Sequence, residues 1–86
     1  MKITVHTIVR AYCSDWEATE VDVLGIFLDE NEAREYFETQ KQNEIKLAEE
    51  CGWEMDYDEM YFVAYEDGNY NNNFVHLIWR QKEFEI

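Results

Sequence analysis

Hydrophobic and polar residues alternate along the first segment of the chain, residues 2–12. A period of two, in a segment rich in β-branched residues, predicts a strand whose two sides differ in polarity. Turn-forming and acidic residues interrupt this pattern at 13–20, and 21–28 is almost continuously apolar after Asp22. The two segments therefore predict an antiparallel hairpin with a long loop.

The pattern changes to a helical period after Asp29. Asp29, with Glu32 three residues later, fits a variant of the capping box, and acids in a first turn suit the positive end of the helix dipole. Gly52 suits the position just after a helix, so we predict a helix from about Glu30 to Cys51. The apolar residues that fall on one face of this helix are Ala33, Tyr36, Phe37, Leu47, Ala48 and Cys51.

Two polar residues, Gln40 and Glu44, fall on the same face of the predicted helix. The helix either overhangs its sheet at this point, so that the polar tips reach water, or bends. A functional pocket at Glu44 is the remaining interpretation. We favour the overhang.

The second half of the chain predicts two further strands, at 60–66 and 74–80. Residues 52–59 are predicted to be an acidic, aromatic loop, and 81–86 an extension of the last strand or a frayed tail. The sequence Asp67-Gly68-Asn69 has strong turn chemistry. Four further polar residues make this connection longer than a two-residue turn.

The order β-β-α-β-β predicts a single α+β domain over 1–86, in which a four-stranded antiparallel sheet carries one helix on one face. One helix cannot cover both faces of a sheet. The other face would expose apolar side chains, and it is a candidate contact surface or dimer interface. Depending on the strand register, the candidates for exposure are Tyr61, Tyr65, Ile8, Leu77 and Trp79.

The charge of the chain is large for a sequence with so many aromatic residues. The chain contains twenty acidic and seven basic residues, for a net charge of −13, while 16% of its residues are aromatic. A high net charge with few apolar residues is typical of disordered chains, but this chain has the material for a core. We therefore expect a folded domain that displays its charge, at a cost in self-repulsion.

Several classes of function are disfavoured by these features. No apolar run approaches the ~20 residues that cross a bilayer, and the start lacks a secretory signal, so we expect a cytoplasmic protein. Cys13 and Cys51 are expected to be two reduced thiols. An acidic surface repels nucleic acids and anionic membranes, and the seven bases are scattered, so the expected partners are basic proteins, polyamines or metal ions.

The sequence contains no recognisable catalytic or metal-binding motif. Asp56 and Asp58 resemble the start of an EF-hand loop, but the later ligand positions hold Met60, Tyr61 and Asp67. The histidines and cysteines lack zinc-binding spacing. Cys13 is flanked by acids that disfavour a thiolate nucleophile. We expect a non-enzymatic protein without a metal or cofactor.

The acids fall into two long stretches without a base, between Arg10 and Arg34 and between Lys46 and Arg80. Aromatic residues inside these stretches are typical of protein–protein hot spots. A surface that merely serves solubility is the competing interpretation. The candidate partner-binding residues are Asp15, Trp16, Glu17, Glu49, Glu50, Trp53, Glu54, Asp56, Tyr57, Asp58, Glu59, Glu66 and Asp67.

The density of this charge decides how it must be arranged. A domain of 10.5 kDa has roughly 5,400 Å² of surface, so evenly spread charge gives about one net charge per 400 Å². B-DNA carries roughly one charge per 100 Å². A nucleic-acid mimic would therefore have to concentrate its acids on one side.

A small, strongly acidic, proline-free α+β protein without a catalytic motif resembles, as a class, the anti-CRISPR and other phage-encoded DNA-mimic inhibitors. The junction from Gly25-Ile26-Phe27 through Asp29-Glu30 to Glu32-Ala33 is also similar to one common in short phage and bacterial proteins. The class resemblance implies a stoichiometric inhibitor that blocks the nucleic-acid-binding groove of a nuclease such as a CRISPR effector. The alternative is an interaction or assembly module, such as a homodimer through the uncovered sheet face.

Overall fold

The computed structural model describes residues 1–13, 19–66 and 73–86. This part of the chain contains five strands and one helix, in the order β1 (Lys2–Cys13), β2 (Glu20–Phe27), α1 (Glu30–Cys51), β3 (Glu54–Tyr57), β4 (Tyr61–Tyr65) and β5 (Phe74–Glu85). The predicted α+β class, with one helix and an antiparallel sheet, is confirmed. The predicted strand count differs, because the segment predicted to be an acidic loop contains the additional strand β3.

The sheet has the order β2-β1-β5-β4-β3, and every neighbouring pair is antiparallel. The central pair is the longest, since β1 pairs with β5 from Lys2 opposite Glu85 to Cys13 opposite Phe74. Residues 81–85 therefore extend the last strand rather than fray. The predicted β1–β2 hairpin is confirmed. The predicted turn at Asp67-Gly68-Asn69 lies outside the described residues.

Strand β3 was missed because its sequence, Glu-Met-Asp-Tyr, has two residues that are depleted in strands. The turn that follows explains why the segment pairs with β4. The Asp58 carboxylate accepts the backbone N–H groups of Met60 at 2.7 Å and Tyr61 at 3.0 Å. This side-chain cap closes a tight reversal and brings β3 alongside β4.

Helix α1 begins and ends where the sequence predicts. The Asp29 carboxylate accepts the backbone N–H of Asn31 at 2.9 Å, and Gly52 adopts a left-handed φ of 72°. On the predicted apolar face, Ala33, Phe37 and Ala48 are buried, whereas Leu47 and Cys51 are exposed. A groove of about 220 Å³ separates the last turns of the helix from the sheet. Leu47 and Cys51 line this groove and are therefore not buried against the sheet.

The core lies between α1 and one face of the sheet. Ile8, Phe37, Phe62 and Leu77 are fully buried there, and Trp79 is nearly so. Ile8 and Leu77 were candidates for exposure, as was Trp79, and the structure places all three under the helix. A register shifted by one residue would have moved them to the other face.

A β-bulge in β2 sets which residues reach each face of that strand. Ile8 pairs with Gly25 and Val9 with Val23, so Leu24 is the extra residue. Leu24 packs against the core, and its carbonyl accepts the Tyr36 hydroxyl at 3.3 Å. The bulge therefore turns Leu24 toward the helix and keeps Val23 on the opposite face.

Candidate partner-binding surface

The sheet separates the charged residues of the strands into two groups. We call the face covered by α1 the helix-bearing side and the other the open face. Register places four of the six strand acids on the helix-bearing side, namely Glu20, Asp22, Glu83 and Glu85. Only Glu54 and Asp56, among the described strand residues, are acids on the open face, where Arg80 and Lys82 balance them. The formal charge of the open face is thus zero.

Helix α1 adds further acids to the helix-bearing side. Its seven acids outnumber its three bases, and with the strands this side carries eleven acids against five bases. Four of those bases are held in ion pairs, Lys2–Glu83, Arg10–Glu44, Arg34–Glu30 and Lys41–Glu38, with N···O distances of 2.8–3.5 Å. The exposed helix acids that make no ion pair with a described residue are Glu32, Glu35, Glu49 and Glu50.

The two base-free stretches do not meet at one edge. Strand β2 belongs to the first stretch and β3 to the second, and these are the opposite edge strands of the sheet. Four strand spacings of ~4.8 Å put the edges ~19 Å apart. The acids of α1 lie between them, so the acidic surface runs from edge to edge across the helix rather than forming a compact patch.

The predicted partner-binding residues are accordingly dispersed. Glu49 and Glu50 are exposed in the last turns of α1, and Asp58 and Glu59 are exposed in the β3–β4 turn. Glu54 and Asp56 lie on the open face, and Glu66 follows β4 and contacts Asn73. Asp15, Trp16, Glu17 and Asp67 lie outside the described residues.

The two described aromatic members of that set have partly structural roles. Trp53 is half-buried against the core cluster. Tyr57 is 47% exposed, and its ring stacks on Phe62 with centroids 6.1 Å apart. Each ring therefore still offers an exposed part to a partner, and Tyr57 offers more.

Lys41 was not predicted to be part of the site, yet it organises the surface around Asp58. Its Nζ lies 2.9 Å from the Glu38 carboxylate and 3.0 Å from the Asp58 carbonyl oxygen. The rings of Phe37 and Tyr57 lie 5.6 and 5.8 Å from the same ammonium group. The Glu38/Lys41 spacing was visible in the sequence, but nothing in it indicated that the lysine is buried.

Glu44 is paired, so the predicted overhang is wrong for this residue. Its side chain is only 12% exposed and accepts the Arg10 Nε–H at 2.8 Å. The Arg10 guanidinium also lies 4.7 Å from the centre of the Tyr12 ring. The pair joins helix to sheet beside the 220 Å³ groove, which is otherwise lined mainly by apolar side chains.

Carboxylates at both edges of the sheet affect nearby tyrosines. The Glu20 carboxylate is the main cause of a raised pKa for Tyr12, with smaller contributions from desolvation and Asp22. A hydrogen bond of 2.9 Å to Asp56 is the main cause of a raised pKa for Tyr61. Both raised pKa values thus result mainly from carboxylates at the two edges of the sheet. Both tyrosine hydroxyls stay protonated and can donate hydrogen bonds.

The interior offers no assembled reactive centre among the described residues. The Trp79 Nε1–H donates to the His6 Nδ1 at 3.1 Å, and both side chains are buried. No group of three or more His, Cys, Asp or Glu in the described ranges could hold a metal ion. Cys13 is buried and Cys51 is exposed, and no disulfide joins them.

No α-helix of the described residues has the length and apolar character needed to cross a bilayer. Comparison with known protein families, curated proteins and solved structures finds no match to this chain.

Proposed function

We propose that this protein is a stoichiometric, non-enzymatic inhibitor that acts in the cytoplasm and covers a basic nucleic-acid-binding groove of a partner protein, such as a CRISPR effector nuclease. The supporting observation is the separation of charge by the sheet. The open face is formally neutral, while the helix-bearing side and the connections carry the net negative charge of the described residues. Basic grooves bind anions of this kind through the same Lys and Arg that meet phosphates.

The density of charge indicates that carboxylates alone do not reproduce DNA. The protein has 5846 Å² of accessible surface, which averages about 450 Å² per net charge. Even if the whole net charge of −13 lay on half of that surface, it would average about one charge per 230 Å², still less than half the density of a duplex. Apolar and aromatic contacts, such as those offered by Tyr57, would have to supply the remaining affinity.

The first test is the salt dependence of inhibition. A guide-loaded Cas9-type effector is incubated with the protein, and DNA cleavage and direct binding are measured between 50 and 500 mM NaCl. We expect the affinity to fall at least about tenfold over this range, because salt screens the charges and because releasing counterions into a more concentrated solution is less favourable. Binding that stays constant would contradict charge mimicry and favour an apolar contact.

Amide variants then locate the acidic contact. Replacing Glu32, Glu35, Glu49 and Glu50 by glutamine removes four unpaired charges from α1 while conserving shape. A second variant, Asp58→Asn with Glu59→Gln, removes two charges from the β3–β4 turn and keeps the acceptor oxygen that holds the turn. The proposal requires that at least one of these variants weaken binding while the circular dichroism spectrum is unchanged.

A matched control comes from an acid that is already neutralised. Glu83 is ion-paired with Lys2 at 3.4 Å near the end of the β1–β5 pair. Glu83→Gln changes the net charge but should leave inhibition almost unchanged, since the Lys2 ammonium group already offsets the Glu83 charge locally. If Glu83→Gln weakened inhibition as much as the clustered variants, net charge rather than a defined surface would be responsible.

A further inference from the structure

The open face of the sheet is a continuous apolar surface with no covering layer among the described residues. Across its middle, Val23 lies beside Val9, then Ile78 and Tyr61, in register on four adjacent strands. Next to this row, Val21, Ala11, His76 and Val63 form a second one. A shallow depression of about 370 Å³ lies at the β4–β5 end of these rows.

Three apolar side chains of β2 are largely exposed to solvent in the single copy. Val21, Val23 and Ile26 are 63%, 59% and 67% exposed, and all three point to the open face. The bulge at Leu24 is what keeps Val23 and Val21 on that face beyond Gly25. Contiguous apolar surfaces of this kind on small proteins mark interaction sites.

The charges at the margins of the open face complement each other. Glu54 and Asp56 lie on the edge strand β3, whereas Arg80 and Lys82 lie on β5 toward the other end of the sheet. A two-fold axis between two such faces exchanges these positions, so the acids of one copy can meet the bases of the other. A strongly basic partner would instead meet Arg80 and Lys82 on this face.

We infer that the open face is the interface of a homodimer, in which two sheets pack face to face. Such packing gives a β-sandwich core about 10 Å thick with a helix on each outer side. The acidic helix-bearing sides of the two copies point away from each other, which limits their repulsion. The inference does not depend on the inhibitory function, because it concerns the opposite side of the sheet.

The available area is sufficient for such a dimer. The five strands at ~3.3 Å per residue and ~4.8 Å between strands cover about 650 Å² per copy. Two copies that overlap over most of this area bury about 1,000–1,300 Å² together, which reaches the lower range of specific interfaces. We therefore expect a dissociation constant in the micromolar range.

Sedimentation equilibrium of the full chain, from about 1 to 100 μM, tests the inference. The wild type should approach twice its monomer mass of 10.5 kDa at the highest concentration. Val23→Glu puts a charge at an exposed position on the open face, so it should raise the dissociation constant at least about tenfold with little effect on the monomer fold. Leu47→Glu, at a position 53% exposed on α1, is the matched control and should dimerise normally.

A charge exchange tests the proposed pairing of Asp56 with Arg80. Asp56→Lys alone and Arg80→Glu alone should each weaken the dimer, and the double variant should recover at least half of the loss. A wild type that remains monomeric at about 100 μM overturns the homodimer, as does a dimer that Val23→Glu leaves unchanged. Binding of a different protein to the open face, abolished by Val23→Glu while the wild type stays monomeric, would also overturn it and assign the face to that partner.

Discussion

Lys41 holds a positive charge in the interior of a strongly acidic protein, and its partners explain why it is tolerated there. A buried ammonium group needs hydrogen-bond acceptors, which the Glu38 carboxylate and the Asp58 carbonyl supply. Lys41→Met keeps most of the side-chain packing and removes these bonds. We expect a loss of about 1–3 kcal/mol in the free energy of unfolding, measured with urea.

The control for Lys41 is Lys46, an exposed lysine on the same helix. Lys46→Met should change the free energy of unfolding by no more than about 0.5 kcal/mol, as is usual for surface substitutions. Equal effects of the two substitutions would show that the positive charge of the helix, and not the hydrogen bonds of Lys41, is what matters.

His76 lies on the open face, and the fold alters its titration. Burial lowers its pKa below the ordinary value of 6.5, where Ala11 and Val63 lie beside it and the Phe74 ring is 5.6 Å away. The unfolded chain therefore binds a proton more readily than the folded one once the pH falls below about 6.5. We expect stability to decline from pH 7.5 to 5.5 and His76→Gln to reduce that decline.

This titration is best measured by urea unfolding in the Val23→Glu background, where self-association should not contribute. The interval stays above the range in which most carboxylates titrate. If His76→Gln left the pH dependence unchanged, another group would be responsible for it.

The two glycines among the described residues show which local features the sequence discloses. Gly52 ends α1 in a left-handed conformation, and its position after a helical pattern was enough to predict it. Gly25 belongs to the bulge of β2, where a Cβ atom would lie 2.6 Å from the Phe27 ring. The requirement for glycine at position 25 comes from packing against the Phe27 ring, which the local sequence does not disclose. The apolar run at 21–28 therefore predicted a strand but not its bulge.

The same distinction explains the other differences between expectation and structure. The helix limits follow from local capping by Asp29 and Gly52, whereas strand β3 depends on pairing with β4 and on the Asp58 turn. The acidic stretches could be read directly, but their separation to opposite edges depends on strand order. Sequence alone thus predicted which residues are charged and not which of them are neighbours.

Substitutions of the two glycines should lower the free energy of unfolding by different amounts and for different physical reasons. Gly25→Ala should cost about 1–3 kcal/mol, because the added methyl group overpacks against Phe27. Gly52→Ala meets no neighbouring atom and should cost about 1–2 kcal/mol through its left-handed φ alone. A Gly52→Asn variant should recover part of that loss, since asparagine adopts this conformation more readily, while Gly25→Asn should not; urea unfolding measures all four.

The whole molecule carries a net charge of −13 that its four described ion pairs only partly offset. Repulsion among the remaining carboxylates opposes the compact state, and added salt screens it. We therefore expect the free energy of unfolding to rise between 50 and 500 mM NaCl, while the affinity for a basic groove falls over the same interval. The opposite signs separate the two roles of the charge, because a general effect of salt on folding would move both quantities together.

The variant with glutamine at positions 32, 35, 49 and 50 tests this relation most directly, because it removes like charges from one helix. It should be more stable than the wild type at 50 mM NaCl and should depend less on salt. Potassium glutamate in place of sodium chloride checks that screening, rather than chloride binding, is responsible. If the variant were less stable than the wild type at low salt, these four glutamates would stabilise the fold. The proposal that their charges are unpaired in the free protein and serve to bind a partner would then be wrong.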